Sequence, residues 1–223
     1  MTKSRVYLVG ADSWRFYDRW PPSAEMTKFF LQPDNVLSTS PASYGVPPDH
    51  YDYDPKDPTP AVGGALFFSG AGPRDNRALE SRKDVLTYTS SPLAHNLDVI
   101  GHVSCTLHVS SSREHTDFFA RLCDVHPDGR SMNVCDGIIR LYPGKVEPDS
   151  SGSLCIEVDM WATAYRFRRG HAIRLQVSSG AHPRFAPNSG TGEVPRSPEN
   201  MCVAHQTVFH DASRPSAIIL PLV

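Results

Sequence analysis

Apolar and polar residues alternate with a two-residue period along much of this chain, and that alternation predicts β-strands. In "SCTLHVS", Cys105, Leu107 and Val109 share one side while Thr106, His108 and Ser110 share the other. In "SLCIEVDM", Leu154, Ile156, Val158 and Met160 oppose Cys155, Glu157 and Asp159. "HAIRLQVSS" sets Ile173, Leu175 and Val177 against Arg174, Gln176 and Ser178. One buried and one wet face per strand is what antiparallel sheets packed face to face require. The pattern predicts further strands over residues 5–9, 26–31, 85–88, 117–126, 131–141, 202–209 and 217–222. Between two of them, Asp128-Gly129 offers the positive φ angles of a tight hairpin. No window of a dozen residues carries an apolar stripe of helical period. The expected fold is all-β: one domain over residues 1–223, a jelly-roll β-sandwich of roughly ten mostly antiparallel strands. Residues 40–64, rich in Asp, Pro and Tyr, read as a long surface loop and not as a domain boundary.

Composition narrows this picture. A chain of 223 residues removes roughly 70% of its unfolded surface from water, enough for a core without staples. Its net charge of −2 and pI near 6.5 leave no basic face for nucleic acid. No apolar run approaches the length of a membrane span, and "MTKSRVYLVGADSW" does not read as a signal peptide. The five cysteines are odd in number, widely spaced and free of any C-x-x-C, which fits core thiols in a reducing cytoplasm. The 20 prolines are scattered between strand candidates, as turns require.

The nearest approaches to the G-x-S-x-G elbow of α/β-hydrolases centre on Ser43, Ser150 and Ser178, and each lacks the first glycine and a following helix. "VYLVGADSW" brings Ser13 to a strand end, but no D-x-x-H follows near the C-terminus, and "FHDAS", with His210-Asp211, is a poor substitute. Of the ten histidines, His102 and His108 share a strand face but lie about 20 Å apart by strand rise, and His205 and His210 have opposite parity. No metal site and no cofactor is expected. Asp117, Asp124 and Asp136 read as turn-capping carboxylates at strand ends. The aromatics of "SWRFYDRWPP" and "LFF", placed at strand ends and loops, suggest a contact surface.

Several strings taken in order carry a resemblance. They are "GADSWRFYDRWPP", "YDYDPKDPTPAVGGALFFSGAGPRDNR", the run from "RKDVLTYTSS" to "GIIRL", "RFRRGHAIRLQVSSGAHPRFAPNSGTGE" and "QTVFHDASRPSAIILPLV". Together they resemble the C-terminal domain of the cocaine-esterase and X-Pro dipeptidyl-peptidase family of serine hydrolases. The resemblance implies a galactose-binding-like jelly roll. It also implies that the triad and oxyanion donors belong to a preceding α/β-hydrolase domain, so that no catalytic residue is expected here. Met1 then marks an expression boundary, a split gene or a truncated product.

By the same resemblance the partner is an α/β-hydrolase domain of this or a companion chain. Phe67 and Phe68 are expected at the edge of its substrate pocket, with filling of the interdomain seam as the competing role at even weight. Trp14, Trp20, Arg184, Phe185 and Asn188 are expected at the interdomain contact. Phe185 serves there as anchor, Arg184 and Asn188 bond adjoining backbone, and Gly190 and Gly192 supply positive-φ turns. Without the partner, the aromatic patch is expected to drive self-association. Two alternatives stand beside this reading: a free-standing carbohydrate- or peptide-binding sandwich, and a small esterase using Ser13.

Overall fold

The computed structural model describes residues 3–66, 69–194 and 197–223. Among them are thirteen strands and one four-residue helix, α1 (Arg77–Glu80). A short hairpin of β1 (Ser4–Leu8) and β2 (Ser13–Tyr17) stands outside the main sheet. The remaining strands are β3 (Glu25–Gln32), β4 (Val36–Ser38), β5 (Asp49–Tyr53), β6 (Leu86–Thr89), β7 (Leu97–Ser111) and β8 (Thr116–Val125), then β9 (Ser131–Leu141), β10 (Leu154–Phe167), β11 (Ala172–Ser178), β12 (Ala204–Phe209) and β13 (Ala217–Leu222). They hydrogen-bond in the order β5-β12-β7-β13-β3-β4-β6-β11-β8-β9, with β10 added to β7. Every pairing in that sheet is antiparallel except the single β4–β6 contact. The sheet folds over on itself as a β-sandwich, and inward residues from both layers, among them Leu107, Phe118, Ile156, Leu175 and Ile218, share one core. No described helix is long and apolar enough to cross a membrane.

The alternation predicted from sequence sets the burial of β7 and β10. Val103, Cys105, Leu107 and Val109 are buried, and so are Ile156, Val158 and Met160, while Glu157 and Asp159 are exposed. Strand β8 departs from that pattern. It lies between β9 and β11 and is buried along nearly its whole length, polar Thr116, Asp117, Arg121 and Asp124 included. Each such group needs a partner inside the protein.

Two expectations need correction. Residues 49–53, read as loop, form β5 on the edge of β12. Tyr51 and Tyr53 point into the core while His50 and Asp52 stay wet; the strand's low-propensity aspartates masked the period. Trp14 and Phe16, read as strand-end residues, lie within β2, opposite Tyr7 and Arg5 of β1. That hairpin buries no complete face, so its aromatics stay exposed.

Candidate functional site

The walls of an open cleft of about 890 Å³ come from segments far apart in sequence. One wall is the 64–66 and 72–73 segments, the floor is β9 from Asn133 to Ile138, the far lip is the β10 stretch 159–162, and Pro183 to Phe185 close the end. The first wall is a small loop tied at its base, where Gly64 and Gly72 exchange two backbone hydrogen bonds of 2.9 Å. Gly64 has φ +84, and a Cβ there would lie 3.0 Å from an Asp136 carboxylate oxygen, so glycine is what lets this loop lie against the charged group. Asn133 holds the other leg, accepting from the Arg74 amide at 2.8 Å and donating to the Gly72 carbonyl at 3.2 Å.

The far lip is a β-bulge. The β10–β7 register slips between Asp159 and Ala162, and Trp161 takes φ +66 with 69% of its surface exposed. The Asp159 carboxylate accepts from the Trp161 amide at 2.8 Å, and His102 pairs with the same carboxylate at 2.9 Å. A bulky side chain in that backbone region is uncommon. Here it sets an indole on the rim of an apolar cleft.

The floor carries buried charge. Asp136 on β9 receives the fully buried Arg121 guanidinium through Nε at 3.3 Å and Nη2 at 3.2 Å, and Arg184 from the other side. Arg121 Nη1 donates to Asn76 Oδ1 at 2.7 Å. Asp117 is clamped by Arg140 in a fork of 2.9 and 2.7 Å and accepts from Asn188 Nδ2 at 2.8 Å. These aspartates were expected to cap turns; they lie within strands and accept side-chain donors, which buried carboxylates require.

The predicted contact residues fall into distinct groups. Arg184 and Phe185 line the cleft, and Phe185 packs on Phe119 at 6.4 Å and under the Arg184 guanidinium at 4.9 Å. Arg184 bonds the Asp136 carboxylate, while Asn188 donates to the Asp117 carboxylate and accepts from the neighbouring Gly190 amide at 3.1 Å, so the two residues peg the 181–193 loop to its own sandwich. Gly190 and Gly192 have φ +76 and +79, as expected. Trp14 stacks edge-on against Tyr7 at 5.3 Å beneath Arg5, and Trp20 is 44% exposed. Phe67 and Phe68 lie outside the described residues.

Reading the histidines only against one another missed two arrangements. His210 Nε2 meets Asp49 Oδ2 at 3.1 Å, and Tyr88 donates to the same oxygen at 2.7 Å. Burial pushes the Asp49 carboxyl up, but the bonds from His210 and Tyr88 outweigh it and hold the group below the usual carboxylate range. Among the described residues the dyad meets no nucleophile: His210 Nδ1 is buried without a partner, and Ser13 Oγ, equally unpartnered, sits on β2. Asp211, next to His210, is bonded instead to Ser213 and Arg214. The second arrangement is a convergence of Asp124, His126 and His171, a donor set able to hold a metal ion. Burial lowers the pKa of His126, which favours its neutral, ligating form, although Asp124 works in the opposite direction.

Comparison with known proteins places this geometry in context. The family model described as the X-Pro dipeptidyl-peptidase C-terminal non-catalytic domain matches residues 2–219. Cocaine esterase from Rhodococcus sp. (strain MB1 Bresler) is 38% identical over 239 aligned positions, covering 99% of this chain and 42% of that protein. The solved α-amino acid ester hydrolase superposes with a TM-score of 0.87 at 26% identity, covering 98% of this chain and 41% of the other. An aminopeptidase from a marine sediment Thaumarchaeota archaeon gives 0.83 at 27% identity, covering 98% and 40%. The chain therefore spans about two-fifths of the length of these relatives.

Proposed function

The chain belongs to the X-Pro dipeptidyl-peptidase C-terminal non-catalytic domain family, and from that premise we propose that it docks on a serine-hydrolase domain and shapes one side of that domain's substrate pocket. The observation that carries the reading is the cleft: a concavity with a mainly apolar lining and an exposed indole held out at its rim, on a domain whose relatives are more than twice its length. Binding pockets concentrate at domain interfaces, and exposed aromatic rims mark contact surfaces. In this reading Phe67 and Phe68 belong to the edge of that pocket, where a ring buried against substrate contributes about 1.5–3 kcal/mol. Trp14, Trp20, Arg184 and Phe185 meet the hydrolase domain together with Asn188, which also holds in place the loop that carries Arg184 and Phe185. The sandwich is read as the galactose-binding-like jelly-roll type.

A fluorophosphonate probe is expected to leave every serine of this chain unlabelled. The chain is also expected to co-purify with the hydrolase portion of the Rhodococcus cocaine esterase, and Trp161→Asp, a residue that tolerates the positive φ, to abolish that binding. Labelling of a serine here, or binding indifferent to the rim, overturns the proposal. A free-standing binding module is the alternative, since an exposed tryptophan on a cleft rim also suits stacking on a sugar. Saturable calorimetric binding of a glycan by the lone chain supports that instead.

A second expectation concerns the hairpin. Trp14, Phe16 and Trp20 are 49, 63 and 44% exposed, and without a covering domain they associate with a second copy. Light scattering on a concentration series is expected to show a rising mean mass, reduced by Trp14→Ser together with Phe16→Ser. A constant monomer mass at the highest concentration refutes it.

A further inference from the structure

We propose that Asp124, His126 and His171 form a binding site for a divalent transition-metal ion of the zinc class, separate from the cleft. Side chains two apart in extended backbone project from the same face, so Asp124 in β8 and His126, one residue past its end, point the same way. The ladder between β11 and β8 pairs Ala172 with Val125, and one step beyond it His171 stands across from His126. The result is that His171 Nδ1 lies 2.9 Å from one Asp124 oxygen and His126 Nε2 lies 3.5 Å from the other. One ligand atom from each of the three residues falls within 4.8 Å of the other two. Donors about 2.0–2.2 Å from a common tetrahedral or octahedral ion stand roughly 3–3.5 Å from each other. The triad therefore already approximates one face of a coordination polyhedron.

Hydrogen bonding accounts for only part of this convergence. His171 bonds the carboxylate, but 3.5 Å is too long for a good bond from His126, whose ring stacks on His171 with centroids 4.4 Å apart. The carboxylate is 2% exposed, and the two imidazoles are 24 and 12% exposed, which gives a pre-set anionic ligand beneath a reachable pair of nitrogens. Tyr165 donates at 2.9 Å to Asp124 Oδ2, the oxygen that His126 faces, and so fixes the carboxylate's orientation, as second partners of metal ligands do. Two imidazoles and one carboxylate suit zinc, cobalt or nickel, and not calcium or magnesium, which prefer oxygen. None of the three residues lines the cleft.

Arg130 supplies a discriminating control. Its Nη2 lies 3.4 Å from His126 Nδ1, and an imidazole bound to metal through Nε2 carries a proton on Nδ1. That contact must yield on metal binding, and the cation opposes the ion's charge. Equilibrium dialysis of the full chain against buffered zinc chloride should show one saturable equivalent, with magnesium and calcium showing none. His126→Gln and His171→Gln should each weaken uptake at least about 10-fold, whereas Arg130→Gln should tighten it. At free zinc a hundred times the dissociation constant, Tm should rise by roughly 5–10 °C.

On the unaltered chain, one equivalent of zinc should shift the ring resonances of two of the ten histidines. Zinc uptake below one equivalent at 100 µM free ion (about 10⁻⁴ M, a weak-site bound), ring shifts confined to other histidines, or uptake unchanged in both histidine variants overturns the site.

Discussion

Gly137→Ala is expected to lower the melting temperature by roughly 6–12 °C, the equivalent of about 3 kcal/mol in a domain of this size. Gly137 sits in β9 on the cleft floor, where β10 crosses closely. A Cβ at this position would run into the Asp159 carbonyl oxygen and lie 2.7 Å from its carbon. The obstacle is backbone, which cannot swing aside as a side chain does, so β9 and β10 must separate locally. Asp159 opens the bulge that presents Trp161, and the same substitution is therefore expected to disturb the cleft rim. Differential scanning calorimetry measures the first effect and quenching of Trp161 fluorescence the second. A melting temperature within about 2 °C of the unaltered chain would show that the two backbones are not held this close.

Arg121→Met is expected to cost about 3–5 kcal/mol. Arg121 is fully buried, and its side chain serves both Asp136 and Asn76. Removing it strips Asp136 of one of two guanidinium partners and leaves the Asn76 oxygen short of a donor. The remaining partner, Arg184, approaches from the cleft side with 16% of its side chain exposed, and Arg184→Met should cost only about 1 kcal/mol because solvent can partly replace it. The two losses should not add, since both act on one carboxylate. The double change Arg121→Met with Asp136→Leu should recover much of the stability, because an apolar pair carries no buried charge. Urea titration of the unaltered chain, the two single variants, Arg121→Met with Arg184→Met, and Arg121→Met with Asp136→Leu decides this; additive losses in the first pair with no recovery in the second would mean that packing and not charge governs the site.

The effects share a location that was only partly legible beforehand. The alternation in β7 and β10 was readable because a period of two is a local property of the chain, whereas in β11, flanked by β6 and β8, the positions expected to be wet, Gln176 and Ser178, are buried as well. The hairpin at Asp128-Gly129 was readable for the same reason, and Gly129 has φ +85 between β8 and β9. The glycine-rich loop could be named as a contact element, but not why Gly64 must be glycine: that depends on Asp136, more than seventy residues further along the chain. Strand β5 was hidden because its outward positions are His50 and Asp52, residues that commonly mark loops. The signal for the proposed metal triad was the Asp-x-His string at the exit of β8, which a comparison of histidines only with histidines does not pick up.

Sequence by itself determined that this protein is a two-layered β-structure with no helical core, because side-chain alternation dictates which face of each strand avoids water. Its strings also carried the family resemblance that the match over residues 2–219 makes good. Tertiary structure alone decided which strands lie side by side. That choice set Arg184 on Asp136, His171 beside Asp124 and Trp161 on the rim of the cleft. Those juxtapositions come from pairing and packing between segments tens of residues apart, where burial of the whole core outweighs any local preference.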